Sequence, residues 1–204
     1  MTDEVVTSTE PAGDGDGGDG GARRRRRVAP FVVIVVAVVL GGLFVVLAGA
    51  DAAKNETADT PLLDAPAPDA VGHFADGTTF DLARRKGSWV VLNFFTSTCV
   101  PCKQEHPELV KFVEQQDALG LEGAELYTVV VDDDPDAVHA FFEDEGGDWP
   151  VVYDDDGRFA VAFGVAKVPE TWIIDPNGVV RGRVISQVTA EFLGSRIQRL
   201  REGA

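Results

Sequence analysis

The sequence predicts an α/β domain with a mixed sheet, and three observations carry that prediction. Short apolar runs suited to strands alternate with longer segments of helical periodicity. One such run, Trp89 to Phe95, gives way almost directly to Cys99-Val100-Pro101-Cys102 and a helix-like stretch. Toward the C-terminus two apolar runs flank Pro176-Asn177-Gly178, turn chemistry that pairs antiparallel neighbours.

Upstream of that domain the chain changes character repeatedly. Residues 1–27 form a polar, Gly- and Asp-rich tail ending in a run of arginines, Arg23 to Arg27. The tail has almost nothing to bury, so ordering entropy is not offset and disorder is expected. Residues 28–50 contain no charged residue, and about 20 apolar residues span a bilayer core as a helix. A transmembrane helix is therefore expected over 28–50. The arginines then keep the N-terminus cytoplasmic and put everything after Asp51 outside the cell membrane, as a single-pass protein. Ala48-Gly49-Ala50 resembles a signal-peptidase site, yet the apolar block exceeds the roughly 7–15 residues of a signal core. That length favours a retained anchor. Residues 51–70, rich in Ala, Asp and Pro, read as a linker, and 71–204 as the folded domain.

Within the domain, His73 to Phe80 reads as a hairpin turning at Asp76-Gly77. The nearly continuous apolar run Trp89 to Phe95 suits a central strand covered on both faces. Pro101 sits where a first helical turn tolerates proline, and Leu109, Val110, Phe112 and Val113 carry the helix toward Leu119 and Gly120. Pro107 is expected to kink it. Leu126 to Val131 is a second buried strand, and Asp134-Pro135 opens a helix ended by Gly146-Gly147. A strand at Val151 to Tyr153 and a short helix at Arg158 to Phe163 follow. The hairpin Thr171 to Ile174 and Val179 to Val184, then an amphipathic helix from about Ala190 to Leu200, complete the order.

The formal net charge of −16 argues against nucleic-acid binding, which calls for clustered Lys and Arg beside phosphates. The chain has 2 cysteines, too few for a disulfide framework, and no second Cys/His pair completes a zinc site. His73, His106 and His139 are far apart in sequence, and His106 reads as a polar helix residue. The runs Asp132-Asp133-Asp134 and Asp154-Asp155-Asp156 lack the alternating oxygen pattern of a calcium loop and read as a solvated acidic face. No metal is expected. A lone Cys-x-x-Cys at a strand–helix junction reads instead as a redox pair, its disulfide serving in place of any cofactor. A cysteine at a helix start faces unpaired N–H groups and the positive end of the helix dipole, which favour thiolate. Cys99 is thus the expected nucleophile, and Cys102, one turn further in, the resolving thiol.

The stretch Phe94-Phe95-Thr96-Ser97-Thr98-Cys99-Val100-Pro101-Cys102-Lys103-Gln104-Glu105-His106-Pro107 resembles the active-site segment of the thioredoxin superfamily. The nearest group is the membrane-anchored TlpA/ResA/DsbE type linked to cytochrome c maturation. A second match, Gly164 to Asp175, resembles the stretch that carries that group's cis-proline loop. The resemblance spans about Val71 to Leu200 and implies a thioredoxin fold and a cis bond before Pro169, packed beside the cysteines. It also implies that Val168, Val100 and Pro101 line the substrate site, with the Val168 backbone pairing an extended substrate strand. Glu105, three residues past Cys102, and Glu170, directly after Pro169, stand where acidic residues tune the cysteine pair in the DsbE-like group. Thr98 replaces a tryptophan common before the first cysteine, and Ala166 a tyrosine seen in some relatives.

The resemblance implies an extracytoplasmic thiol–disulfide oxidoreductase acting on protein cysteines. As a reductase it would keep apocytochrome c or other exported thiols reduced, fed by a membrane thiol carrier. The opposite direction, a disulfide-forming oxidase, uses the same residues, because Val100-Pro101 does not fix a potential. A Cu(I) chaperone using both sulfurs and a histidine is a further alternative.

Overall fold

The strand-rich half of the chain owes its sheet to β-branched and aromatic runs that are buried on both faces. The computed structural model describes residues 31–43 and 58–203, in two units, Met1–Lys54 and Asn55–Ala204. In the first unit residues 31–43 form a helix, α1, whose side chains are all exposed. It rises about 20 Å at 1.5 Å per residue. Among the described residues no helix is long and apolar enough to cross a membrane. The remainder of the apolar stretch, 28–30 and 44–50, lies outside the described residues, as do the tail expected over 1–27 and positions 51–57.

The second unit runs β1 (Val71–His73), β2 (Thr79–Asp81), β3 (Val90–Phe95), α2 (Val100–Asp117), β4 (Glu125–Val131), α3 (Pro135–Glu145), β5 (Val151–Asp154), α4 (Arg158–Phe163), β6 (Glu170–Ile174), β7 (Val180–Ile185) and α5 (Ala190–Gly203). The sheet order is β2-β1-β5-β4-β3-β6-β7. Strands β3, β4 and β5 are parallel, and β6 returns antiparallel against β3, with Val90 opposite Ile174 and Phe94 opposite Glu170. Every residue of β3 is buried, as a central strand covered on both faces requires.

Strand alternation divides the core into two faces. On one, Leu92, Phe94, Val129 and Trp172 pack against Phe159 and Phe163 of α4. On the other, Val91, Leu126 and Ile173 meet Leu109 and Phe112 of α2 and Leu193 and Ile197 of α5. A third cluster joins Phe95, Cys102, Val130 and Tyr153 to Val138 and Phe141 of α3. Helix α2 runs as one element through Pro107, whose ring removes the bond to the Lys103 carbonyl.

Two expectations are revised. The domain begins before Val71. From residue 58 the chain lies along β7, with Ala58 N–H donating to Arg183 O, Asp64 N–H to Val180 O and Ala67 N–H to Gly178 O. Leu62 and Ala67 pack on the core, so composition alone mistook an edge-covering segment for linker. The aspartate runs are also more than a solvated face. Asp134 caps α3 by accepting from Asp136 and Ala137 N–H, and buried Asp154 accepts the first-turn amides of α4, Phe159 and Ala160 N–H, at 2.9 and 2.8 Å.

Candidate active site

The apolar run of β3 ends at Phe95, and a four-residue turn delivers the chain into α2 at Cys99. Asp133, from the β4–α3 loop, holds that turn by accepting both the N–H and the hydroxyl of Ser97. Cys99 is the N-cap of α2, with extended backbone (φ −74°, ψ 109°), and its sulfur accepts the Cys102 N–H at 3.1 Å. The orphan amides of a first helical turn and the positive end of its dipole converge on this sulfur. Surroundings of this kind favour thiolate over thiol at a helix start.

Cys99 and Cys102 are joined in a disulfide with Cα atoms 5.2 Å apart. Cys99 is half-buried, flanked by exposed Val100 and Pro101, whereas Cys102 lies buried among Phe95, Val130 and Phe141. An approaching group therefore meets Cys99 first. The Val168–Pro169 bond is cis. Val168 and Cys99 both pack on the cluster that encloses Cys102. The structure thus brings together Cys99, Cys102 and Val168, with Val100 and Pro101 on the same exposed rim.

The two glutamates are both buried, at 2% exposure for Glu105 and 1% for Glu170, but on opposite faces of the sheet. Glu105 points from α2 to the α5 side. Its carboxylate accepts from Asn93 Nδ2 at 2.5 Å and from the Val188 backbone N–H at 3.1 Å. Burial pushes its pKa up to about 8 against the opposing pull of those two donors. Glu170 is on the α4 face. It accepts from Arg183 Nε at 2.9 Å and Nη2 at 3.2 Å, and from Trp172 Nε1 at 2.8 Å. The Arg183 guanidinium also lies 5.2 Å from the Trp172 ring centre.

Sequence reasoning did not find the groups that hold these residues. Asn93 binds Glu105 and also donates to Thr171 Oγ1 at 3.1 Å. A lone asparagine inside an apolar central strand was the visible signal for it. His106, expected as a polar helix residue, is buried instead. Phe141, Phe142 and Trp149 surround its ring, and Nε2 meets the Gly146 carbonyl at 2.8 Å. Desolvation holds its pKa below the ordinary histidine value, so the ring is neutral and donates to Gly146. That nitrogen is therefore engaged away from the sulfurs. Among the described residues no group of three or more His, Cys, Asp or Glu side chains is arranged to hold a metal ion.

Comparison with known proteins agrees with this geometry. The AhpC/TSA family profile matches residues 63–183. The chain is 31% identical over 137 residues to the thiol-disulfide oxidoreductase ResA of Bacillus subtilis, covering 67% of this chain and 75% of that protein. It is 32% identical over 130 residues to the thiol:disulfide interchange protein HelX of Rhodobacter capsulatus, covering 63% and 70%. Among solved structures, the secreted thiol-disulfide isomerase of Corynebacterium glutamicum superposes with a TM-score of 0.57 at 26% identity, over 63% of this chain and 80% of that one. The fold is thioredoxin-like, and the exchange chemistry of the cysteine pair is that of a protein thiol–disulfide oxidoreductase. The chain belongs to the AhpC/TSA family and stands close to its ResA- and HelX-type thiol–disulfide oxidoreductases.

Proposed function

We propose that this oxidoreductase works as a reductase of exported protein disulfides. Reduced Cys99, as thiolate, attacks a substrate disulfide; one substrate sulfur leaves as thiolate and takes a proton. Cys102 then loses its proton and attacks the Cys99 sulfur, which closes the Cys99–Cys102 disulfide and releases the second substrate thiolate. Two electrons and two protons pass to the substrate, and no cofactor is needed.

The observation that carries the direction is Glu105, buried three residues past Cys102 on the same helix. Burial in its apolar cluster disfavours a Cys102 thiolate, and the Glu105 carboxyl adds repulsion as it ionises toward pH 8; both favour the disulfide over the dithiol and make the dithiol a better reductant. Its raised pKa also suits it to hold the proton that Cys102 releases. Glu170, tied to Arg183 and Trp172, acts on the pair by fixing the start of β6 next to Pro169. Val168 makes no backbone hydrogen bond among the described residues, which leaves it open to an extended substrate strand beside Val100 and Pro101.

The 28–50 stretch serves as a single-pass anchor. Support comes from its uncharged composition, the exposed apolar side chains of 31–43 and the preceding arginines. The N-terminus is then cytoplasmic and the catalytic domain extracytoplasmic, in keeping with a relative named as secreted. Apocytochrome c and other exported thiols are the substrates of this reading, and a membrane thiol carrier is the electron donor. Equilibration with glutathione buffers tests the direction: a strongly oxidising couple overturns the reductase and supports a disulfide-forming oxidase. Cys102→Ala, lacking its resolving thiol, traps substrates as mixed disulfides for identification. Recovery of the protein in the soluble fraction would count against the anchor.

A further inference from the structure

The turn between β7 and α5, Ser186 to Val188, touches three separate parts of the disulfide site. Ser186 N–H donates to the carbonyl of Pro169 at 3.0 Å. Gln187 Nε2 donates to the carbonyl of Pro101, inside the Cys-x-x-Cys motif, at 3.0 Å, and to Gln104 Oε1 at 3.1 Å. Val188 N–H donates to Glu105 Oε2 at 3.1 Å. Ser186 sits at φ 93°, a left-handed conformation that a non-glycine residue adopts at a cost. Adjacent bonds on both sides hold it there. The turn therefore links the proline loop, the first turn of α2 and the buried carboxyl, which no other segment of the domain does among the described residues.

We propose that Gln187, in the turn between β7 and α5, is a positioning residue for disulfide exchange. It clasps the first turn of α2 so that a strand entering beside Val168 meets Cys99 at a fixed offset. This rests on the oxidoreductase reading above. Gln187 acts through its two donated N–H groups and touches neither sulfur in the hydrogen-bond network, so its removal alters how a polypeptide is seated rather than how Cys99 ionises.

Single-turnover kinetics of the reduced full-length protein with a synthetic peptide carrying one intramolecular disulfide tests the clasp. In Gln187→Ala the half-saturating peptide concentration should rise about fivefold, the size expected for loss of neutral hydrogen bonds, with the limiting rate changed less than about twofold. Gln187→Glu keeps the shape but lacks both donors, and should show the same rise. Loss of fold would lower the reactive fraction in both variants without moving half-saturation, and that result overturns the proposal. So does a wild-type half-saturation in Gln187→Glu, or a fall confined to the limiting rate. If the wild-type protein itself never forms a mixed disulfide with the peptide, the oxidoreductase reading fails, and the clasp falls with it.

Discussion

Glu105 and Glu170 flank the same disulfide site and are equally buried, yet they are held in opposite ways. Glu105 is met by two neutral donors, an asparagine amide and a backbone N–H, and desolvation wins: the proton is retained up to about pH 8. Glu170 is met by a guanidinium with two nitrogens in reach and by an indole N–H, and charge-assisted bonds of this kind are roughly twice as strong as neutral ones. Burial alone thus does not decide what a carboxyl near the cysteines can do. The partner decides. One face of the sheet carries a group able to take and give a proton, the other a fixed ion pair.

The largest test of this contrast removes the cation. Arg183→Met leaves Glu170 buried with only Trp172 as donor and should destabilise the fold by about 3–5 kcal/mol in urea unfolding. A loss below about 1 kcal/mol would show that the pair contributes no more than a surface bridge. Next comes the pH dependence set by Glu105. Its folded value of about 8 lies above the ordinary 4.5. Between those values the folded protein keeps a proton that the unfolded chain has released, so stability falls as pH rises through that window. The slope is at most about 1.4 kcal/mol per pH unit and vanishes above the folded value. Glu105→Gln removes that slope. Relative to wild type it should gain on the order of 4 kcal/mol on going from pH 5 to pH 8.5; parallel stability curves would contradict the raised carboxyl. Smallest is Glu108, one turn on from Glu105 and bonded to Lys111 at 2.6 Å and to the Ala190 N–H at 3.2 Å. These partners hold its pKa down, the Lys111 bond foremost, so its contribution is present above the ordinary carboxyl value and lost as pH falls. Glu108→Gln should cost about 0.5 kcal/mol or less, since the Lys111 ammonium is largely solvated.

Much of this could be read from the chain before its folding was known. The strands β3, β4 and β6 are apolar runs whose burial needs no knowledge of their neighbours, and Pro101, Pro135 and Gly146 mark helix ends by local chemistry. The cysteine pair announced its place through the helix start. The Asn93–Glu105–Val188 chain did not, because Val188 is 83 positions from Glu105 and only the packing of α5 on α2 brings it there. His106 failed as a reading for the same reason. Helical spacing puts it on a face, but the aromatic box belongs to α3 and Trp149. Glu170 was found by its position after Pro169, while its ion pair awaited the pairing of β6 with β7, which sets Trp172 opposite Arg183.

The segment along β7 has one further consequence. A sheet with a bare outer strand offers its free amides and carbonyls to any passing strand, including one from another copy. Here residues 58–67 occupy that margin at one side, and the opposite margin, β2, is only 3 residues long. Among the described residues, neither margin therefore presents a long bare ladder, and neighbouring molecules at high concentration would find little backbone to join by strand addition.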